Sequence, residues 1–205
     1  MNKKTRQADH YFSARPSSIA RFGLIQTCLR GRSFEFLTSS GIFSRNRIDL
    51  GTRLLVKCMV LPEKGYALDM GCGYGPVGIT AATLKPDLKV IMVDVNRRAA
   101  LLARQNVLKS HLHNVEVRRG DLYDPVEDVI FDCVLSNPPV SAGMETVKTI
   151  ICEAPKHMAH GGSLQMVLRS KIAGKRLRTF FEEAFGDVEI MARESGYRVL
   201  ISHKQ

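Results

Sequence analysis

Apolar positions change period along this chain, and the changes mark its elements. From Tyr66 onward, short apolar runs alternate with stretches of helical spacing. Residues 66–70 read as a strand, 76–84 as a helix closed by Lys85-Pro86-Asp87, and 88–95 as a second strand. Asn96 is suited to cap a helix running to about residue 109. Strands are expected over 115–119 and 129–136, the latter ending at Asn137-Pro138-Pro139. Val147, Ile150, Ile151, Ala154 and Met158 share one helix face, with Pro155 expected to kink or distort it. Gly161-Gly162 reads as a turn before a strand over 163–168, and Ala173, Leu177, Phe180, Phe181, Ala184 and Phe185 line a further helix. The chain closes with strands over 187–192 and 197–203 around a hairpin-like turn at Ser195-Gly196.

Ahead of this alternation the pattern is less regular. A short helix is expected over 18–30, a strand over 32–37 and a turn at Thr38-Ser39-Ser40-Gly41. Asp49 precedes Leu50, Leu54, Leu55, Cys58 and Leu61 at helical spacing, and Pro62 ends that run. Strand–helix alternation predicts an α/β fold: a doubly wound, Rossmann-like, seven-stranded, mostly parallel sheet with helices on both faces. The closing strand pair adds one antiparallel strand in the edge region. Residues 61–205 are expected to form this domain, with 1–60 as an extension packed on it.

Composition narrows the partners. A length of 205 residues suits one domain with a layered core. No apolar run reaches the ~18 residues of a membrane helix, and no apolar segment follows the basic N-terminus as in a signal peptide. Five cysteines without Cys-x-x-Cys spacing read as reduced, buried hydrophobes, so the expected location is the cytoplasm. The net charge is +10; residues 1–60 hold 11 Lys/Arg against three acids, a net of +8. A basic segment beside a nearly neutral domain points to a polyanion, with Arg6, Arg15, Arg30, Arg32, Arg45 and Arg47 as candidate contacts. A solvated basic surface is the bland alternative. A monomer is the simpler expectation.

The chemistry centres on residues 65–78, Gly-Tyr-Ala-Leu-Asp-Met-Gly-Cys-Gly-Tyr-Gly-Pro-Val-Gly. A strand, a glycine turn and a helix start make a floor for a nucleotide-like cofactor. Gly73-Tyr74-Gly75-Pro76-Val77-Gly78 fits Gly-x-Gly-x-x-Gly, and Asp94 stands where a ribose-binding acid belongs, so NAD(P) is a real rival. Asp69 just before the turn would repel a pyrophosphate and suits a cofactor with a cationic end.

Asp69-Met70-Gly71-Cys72-Gly73-Tyr74-Gly75 resembles the first motif of class I S-adenosylmethionine-dependent methyltransferases. The resemblance implies that Asp69, Gly71, Cys72, Gly73 and Gly75 cradle the amino-acid part of the cofactor. It implies that Asp94, with Val95, takes the ribose hydroxyls, and Asp121 and Leu122 the adenine. Asn137-Pro138-Pro139-Val140 resembles the Asn-Pro-Pro-aromatic motif of enzymes that methylate planar amino groups: adenine, guanine or a glutamine amide. Such a nitrogen is a poor nucleophile because its lone pair is delocalised. The Asn137 side-chain oxygen and the Pro138 carbonyl would accept its two N–H bonds, and Asn137, Pro138 and Pro139 are the candidate catalytic residues. Val140 departs from the aromatic usual there, and Phe43 in Gly41-Ile42-Phe43-Ser44 is the candidate replacement for stacking. Asp49, Gly51 and Thr52 match an Asp-x-Gly-Thr run that lies near the cofactor's methionine end in relatives.

The fullest resemblance is to the "small domain" methyltransferases, which include the C-type guanine-N2 enzymes that act on ribosomal RNA. It extends from His10 to Tyr197, although the bacterial RNA enzymes carry an additional amino-terminal domain. The expected activity is methylation of an exocyclic amine, guanine N2 in ribosomal or other RNA. The alternatives are a protein glutamine-N5 methyltransferase, an NAD(P)-dependent oxidoreductase, and a non-catalytic RNA-binding module on the same fold. No metal site is expected.

Overall fold

The computed structural model describes residues 21–42, 44, 46–138, 143–171 and 174–205, and the side chains of Lys175 and Arg176 are not among what it describes. The expectations placed on Phe43, Arg45, Pro139, Val140, Ala173 and the arm before residue 21 lie outside the described residues.

The first described element corrects the sequence reading. Phe22–Leu29 is a strand, β1, where a helix was expected, and it pairs antiparallel with β2, Arg32–Ser39. The cause is the turn. Arg30 and Gly31 have φ of 49° and 76°, and with Leu29 opposite Arg32 they close a two-residue hairpin. Positive φ at both turn positions matches the twist of paired strands. Once that turn forms, Ile25 and Leu29 face the core together with Phe36.

Seven further strands form the main sheet: β3 (Gly65–Met70), β4 (Leu88–Asp94), β5 (Val115–Arg119), β6 (Phe131–Ser136), β7 (Met158–Arg169), β8 (Glu189–Glu194) and β9 (Tyr197–His203). Their order is β5-β4-β3-β6-β7-β9-β8. Pairs from β5 to β7 are parallel, and β9 runs antiparallel to both neighbours. Helices α1 (Leu50–Cys58), α2 (Pro76–Leu84) and α3 (Arg97–Lys109) cover one face. The opposite face carries α4 (Met144–Glu153) and α5 (Lys175–Phe185). Each face has its own apolar layer: Leu55, Ala67, Met92, Leu135 and Val199 on the first, Leu68, Ile91, Val134, Ile151 and Phe181 on the second. The sheet is therefore buried on both sides, which is why β3, β4 and β6 read as nearly unbroken apolar runs.

Two smaller expectations, on Gly161-Gly162 and on the burial of Cys28, are also corrected. The distortion expected at Pro155 is present: α4 stops at Glu153 and the chain continues as one short 3-10 turn, Ala154–His157. Gly161-Gly162 is not a turn but part of β7, beside a register irregularity opposite Phe131 and Cys133. A Cβ at Gly162 would come within 3.0 Å of the Ala159 and Phe131 carbonyl oxygens, so backbone approach demands the glycine. Of the cysteines, Cys72 and Cys133 are buried, Cys58 and Cys152 half-buried, and Cys28 exposed; all are free thiols.

From β3 the chain winds one way to β4 and β5, then returns to the other side of β3 as β6. That reversal opens a crevice at the C-terminal ends of β3 and β6, where open α/β sheets bind ligands. No described helix is long and apolar enough to cross a membrane.

Candidate functional site

A cavity of about 330 Å³ occupies this crevice. Its floor is the glycine turn. Gly71, Gly73 and Gly75 have φ of 73°, 60° and 98°. The N–H groups of Gly71 and Cys72 both donate to the Val93 carbonyl at 2.9 Å, which fastens the turn to the end of β4. A Cβ at Gly71 or Gly73 would meet no protein atom within 4 Å, yet both residues line the cavity. The bare backbone there is a cradle that a side chain would enter.

Asp69, the penultimate residue of β3, is almost fully buried, 2% exposed. Its Oδ2 accepts from the Gly78 N–H at 2.8 Å. Desolvation pushes its pKa up to about 7 against that hydrogen bond, and the Asp94 charge raises it further. The bond also counts against the nicotinamide reading. A dinucleotide pyrophosphate uses free N–H groups at the helix N-terminus. In α2 the first residue, Pro76, has none, and the Gly78 N–H is already bonded to a carboxylate.

Asp94 ends β4 and lines the cavity next to the glycine turn. Oδ2 accepts from the Gly73 N–H and Oδ1 from the Asn96 N–H, both at 2.8 Å. Burial pushes its pKa up to about 6, opposed by those two bonds. Asn96 caps α3 by accepting from the Arg98 and Ala99 N–H groups, and its Nδ2 donates to the Gly41 carbonyl at 3.2 Å. Arg98 donates to the Ser40 carbonyl at 2.7 Å. The segment leaving the hairpin is thereby tied to the rim, and Ile42 and Ser44 line the cavity. Val95, Asp121 and Leu122 line it as well, Leu122 with a positive φ of 44°. The Cys72 thiol lines it too, but burial raises its pKa well above the ordinary value, so it serves as packing rather than as a nucleophile.

The opposite wall belongs to α1 and to the end of β6. Asp49 caps α1: its Oδ1 accepts from the Gly51 N–H at 2.9 Å and the Thr52 N–H at 3.3 Å. Its Oδ2 accepts from the Thr52 hydroxyl. Asn137 Nδ2 then donates to Asp49 Oδ2 at 3.2 Å and to Thr52 Oγ1 at 2.8 Å. A carboxylate only accepts, so the NH₂ end of Asn137 must face Asp49. Its Oδ1 is turned away from that wall as an acceptor. Pro138 is buried beside it and, like Asn137, Asp49 and Thr52, lines the cavity.

The predicted cofactor residues other than Gly75 thus converge on one cavity, together with Asn137 and Pro138. Gly75 does not line it: a Cβ there would stand 2.7 Å from Met92 Cε, so this glycine serves close packing beneath the turn. Arg30 and Arg32 do not join them. Arg30 sits at the hairpin turn and donates to the Met59 carbonyl at 3.1 Å and the Val56 carbonyl at 3.4 Å, at the end of α1 remote from Asp49. Sequence reading gave Asp49 no orienting role and missed Asn106. That residue is fully buried; its Nδ2 donates to the Leu37 and Tyr74 carbonyls and its Oδ1 accepts from the Leu37 N–H. It couples the hairpin to the glycine turn. Its only signal was a polar residue on the apolar side of α3. Among the described residues, no three His, Cys, Asp or Glu are grouped so as to hold a metal ion.

Comparison with known proteins agrees with this geometry. Residues 33–201 match the family model "Methyltransferase small domain". YbxB of Bacillus subtilis, described as uncharacterized, is 33% identical over 199 residues, covering 96% of this chain and 99% of that protein. Ribosomal RNA small subunit methyltransferase C of Aeromonas hydrophila is 31% identical over 185 residues, 88% of this chain but 52% of that protein. The chain therefore spans about half the length of those ribosomal RNA methyltransferases. A solved T. thermophilus 16S rRNA N2 methyltransferase (RsmC), in complex with AdoMet and guanosine, superimposes with a TM-score of 0.80 at 20% identity, covering 90% of this chain and 51% of that one. The chain belongs to the methyltransferase small domain family, S-adenosylmethionine-dependent enzymes.

Proposed function

We propose that this member of the methyltransferase small domain family methylates an exocyclic amino group in RNA, guanine N2 in ribosomal RNA being the acceptor that its relatives' names favour. The observation that carries the amino-group reading is the orientation of Asn137. Its NH₂ end is occupied by Asp49 and Thr52, so the cavity is offered an oxygen acceptor. An acceptor is what an aromatic amine requires.

S-adenosylmethionine, when bound, supplies an electrophilic methyl group on a sulfonium. The residues present fit it: the open glycine cradle for its amino-acid end, Asp69 behind it, and the Asp94 carboxylate for a diol. Asn137 Oδ1 and the Pro138 carbonyl accept the two N–H bonds of the acceptor amine. They turn its lone pair out of conjugation and take up positive charge as that nitrogen becomes more cationic. Asp49 contributes at one remove by fixing the amide. The crevice walls hold the amine for in-line attack, so much of the acceleration comes from positioning. A base inside a duplex would have to leave its stack to reach this depth. The basic charge of the first 60 residues adds salt-dependent attraction for phosphates.

The test is a split measurement on Asn137→Ala. Removing one preorganised acceptor should lower the rate of methyl transfer to RNA by about 10²–10³-fold. Affinity for S-adenosylmethionine should stay within about twofold, since the remaining cradle is backbone and Asp69/Asp94. Transfer at the wild-type rate would remove the amino-group mechanism.

A further inference from the structure

The cavity accounts for the cofactor and the acceptor amine, but among the described residues lining it there is no Lys or Arg for the phosphates flanking a target nucleotide. We infer that Arg169, seated on the ring of Tyr197, supplies that contact. The inference rests on the RNA reading above.

The placement follows from register. β6 and β7 run parallel with Ser136 beside Met166. Arg169 is three residues beyond Met166, so it reaches the level just past Asn137-Pro138. Adjacent strands of a sheet lie ~4.8 Å apart. Side chains alternate along a strand: Leu135, Val167 and Val199 enter the apolar layer on the α1 side. Asn137, Arg169 and Tyr197 have the same parity and emerge on that side too. Arg169 and Tyr197 are direct cross-strand partners.

Tyr197 is fixed by α1. A Cβ on Gly51 would stand 2.9 Å from its Cε1 and 3.1 Å from Asp49 Oδ1. Glycine at position 51 therefore lets the ring lie on the first turn of α1, next to the residue that orients Asn137. The guanidinium carbon of Arg169 lies 5.7 Å from the centre of that ring. Such a contact restrains the side chain without neutralising it.

Several other arginines of the fold are differently used. Arg118 pairs with Glu116 and Asp128, Arg178 with Glu182, and Arg104 donates to the Val117 carbonyl. None of the ion pairs among the described residues includes Arg169, and it is exposed. A planar, preorganised fork of N–H donors with no carboxylate on it matches a phosphodiester. It stands at the sheet edge where the acceptor enters, unlike Arg30 and Arg32. Positioned there, it would hold the backbone of the nucleotide whose base reaches Asn137.

The experiment measures methyl transfer to, and binding of, a single-stranded RNA methylated by the wild-type protein, at several salt concentrations. Arg169→Ala should raise the RNA KM and Kd about tenfold, the equivalent of ~1.4 kcal/mol. The slope of log affinity against log salt should shrink by about 0.7, one phosphate's worth for a single strand. The kcat and the affinity for S-adenosylmethionine should hold, and the latter also shows that the variant folds. Arg169→Lys should recover part of the affinity and all of the slope. Tyr197→Leu should weaken binding while keeping the slope, because the charge stays and its restraint is lost. Wild-type transfer with an unchanged KM and slope in Arg169→Ala overturns this inference alone. A wild-type protein that binds S-adenosylmethionine and methylates no RNA overturns the functional reading, and the inference with it.

Discussion

The two walls of the crevice are built differently. On the β3–β4 side, the cavity lining comes from two adjacent strands and the turn that follows the first: Asp69, the glycine turn and Asp94, joined by hydrogen bonds from backbone N–H groups. On the β6–α1 side, Asn137 is oriented by residues 88 and 85 positions earlier in the chain. One wall is a backbone cradle fixed by local turns; the other is a side-chain network that exists only once the sheet has formed. The first should therefore govern cofactor affinity and the second the transfer step. Substitutions should separate those quantities, and any that moves both equally breaks the distinction.

The largest separation short of Asn137 itself is expected at Asp49. In Asp49→Ala the Asn137 amide loses its obligate acceptor partner and can turn over. Transfer should slow by about 10–100-fold, the scale of a hydrogen bond to a charged group. Loss of the α1 cap should cost ~1 kcal/mol of stability in denaturant titration. Affinity for S-adenosylmethionine, measured by calorimetry, should change much less than the rate; an equal loss would place Asp49 on the cofactor wall instead.

A smaller effect belongs to the first wall and to pH. Asp69 and Asp94 are pushed up to about 7 and about 6, chiefly by desolvation. A cationic cofactor with a donating diol favours both carboxylates ionised. Its affinity should rise by about tenfold between pH 5.5 and 8. Stability without cofactor should run the opposite way. Between the ordinary carboxylate pKa and these raised values the folded state binds more protons than the unfolded one. These two groups therefore make stability fall as pH rises from about 4 to about 7. Asp69→Asn should flatten both profiles; profiles that stay steep would assign the titration elsewhere.

The smallest effect is expected at Arg30. Its guanidinium serves the α1 carbonyls, so Arg30→Ala should cost about 0.5–1.5 kcal/mol in thermal unfolding. The transfer rate should be unchanged. A lowered rate with unchanged stability would mean that the hairpin turn contacts substrate.

The same contrast explains what the sequence disclosed. Asp69, Gly71, Gly73 and Asp94 were legible because turn geometry and strand ends are local signals, and the two-sided burial of β3, β4 and β6 leaves apolar runs. Asn137 was legible as chemistry from Asn-Pro-Pro, but its orientation was not. Asp49 announces only a helix cap until folding brings β6 beside α1. Arg169 lies 32 residues beyond Asn137 and meets it only through the parallel register of β6 and β7. The β1–β2 hairpin was misread because Arg30-Gly31 lacks the usual Asn-Gly or Asp-Gly signal; Arg30 takes positive φ with its side chain anchored on α1. Gly161-Gly162 looked like a turn because close backbone approach and chain reversal both select glycine.

The central claim is that this site delivers a methyl group to an exocyclic amine of RNA. The direct measurement is transfer from methyl-labelled S-adenosylmethionine to total RNA and total protein, followed by nucleoside and amino-acid analysis. Label is expected in RNA as N2-methylguanosine, and absent with Asn137→Ala. Label in protein glutamine, or none in RNA from a protein that binds the cofactor, would contradict it.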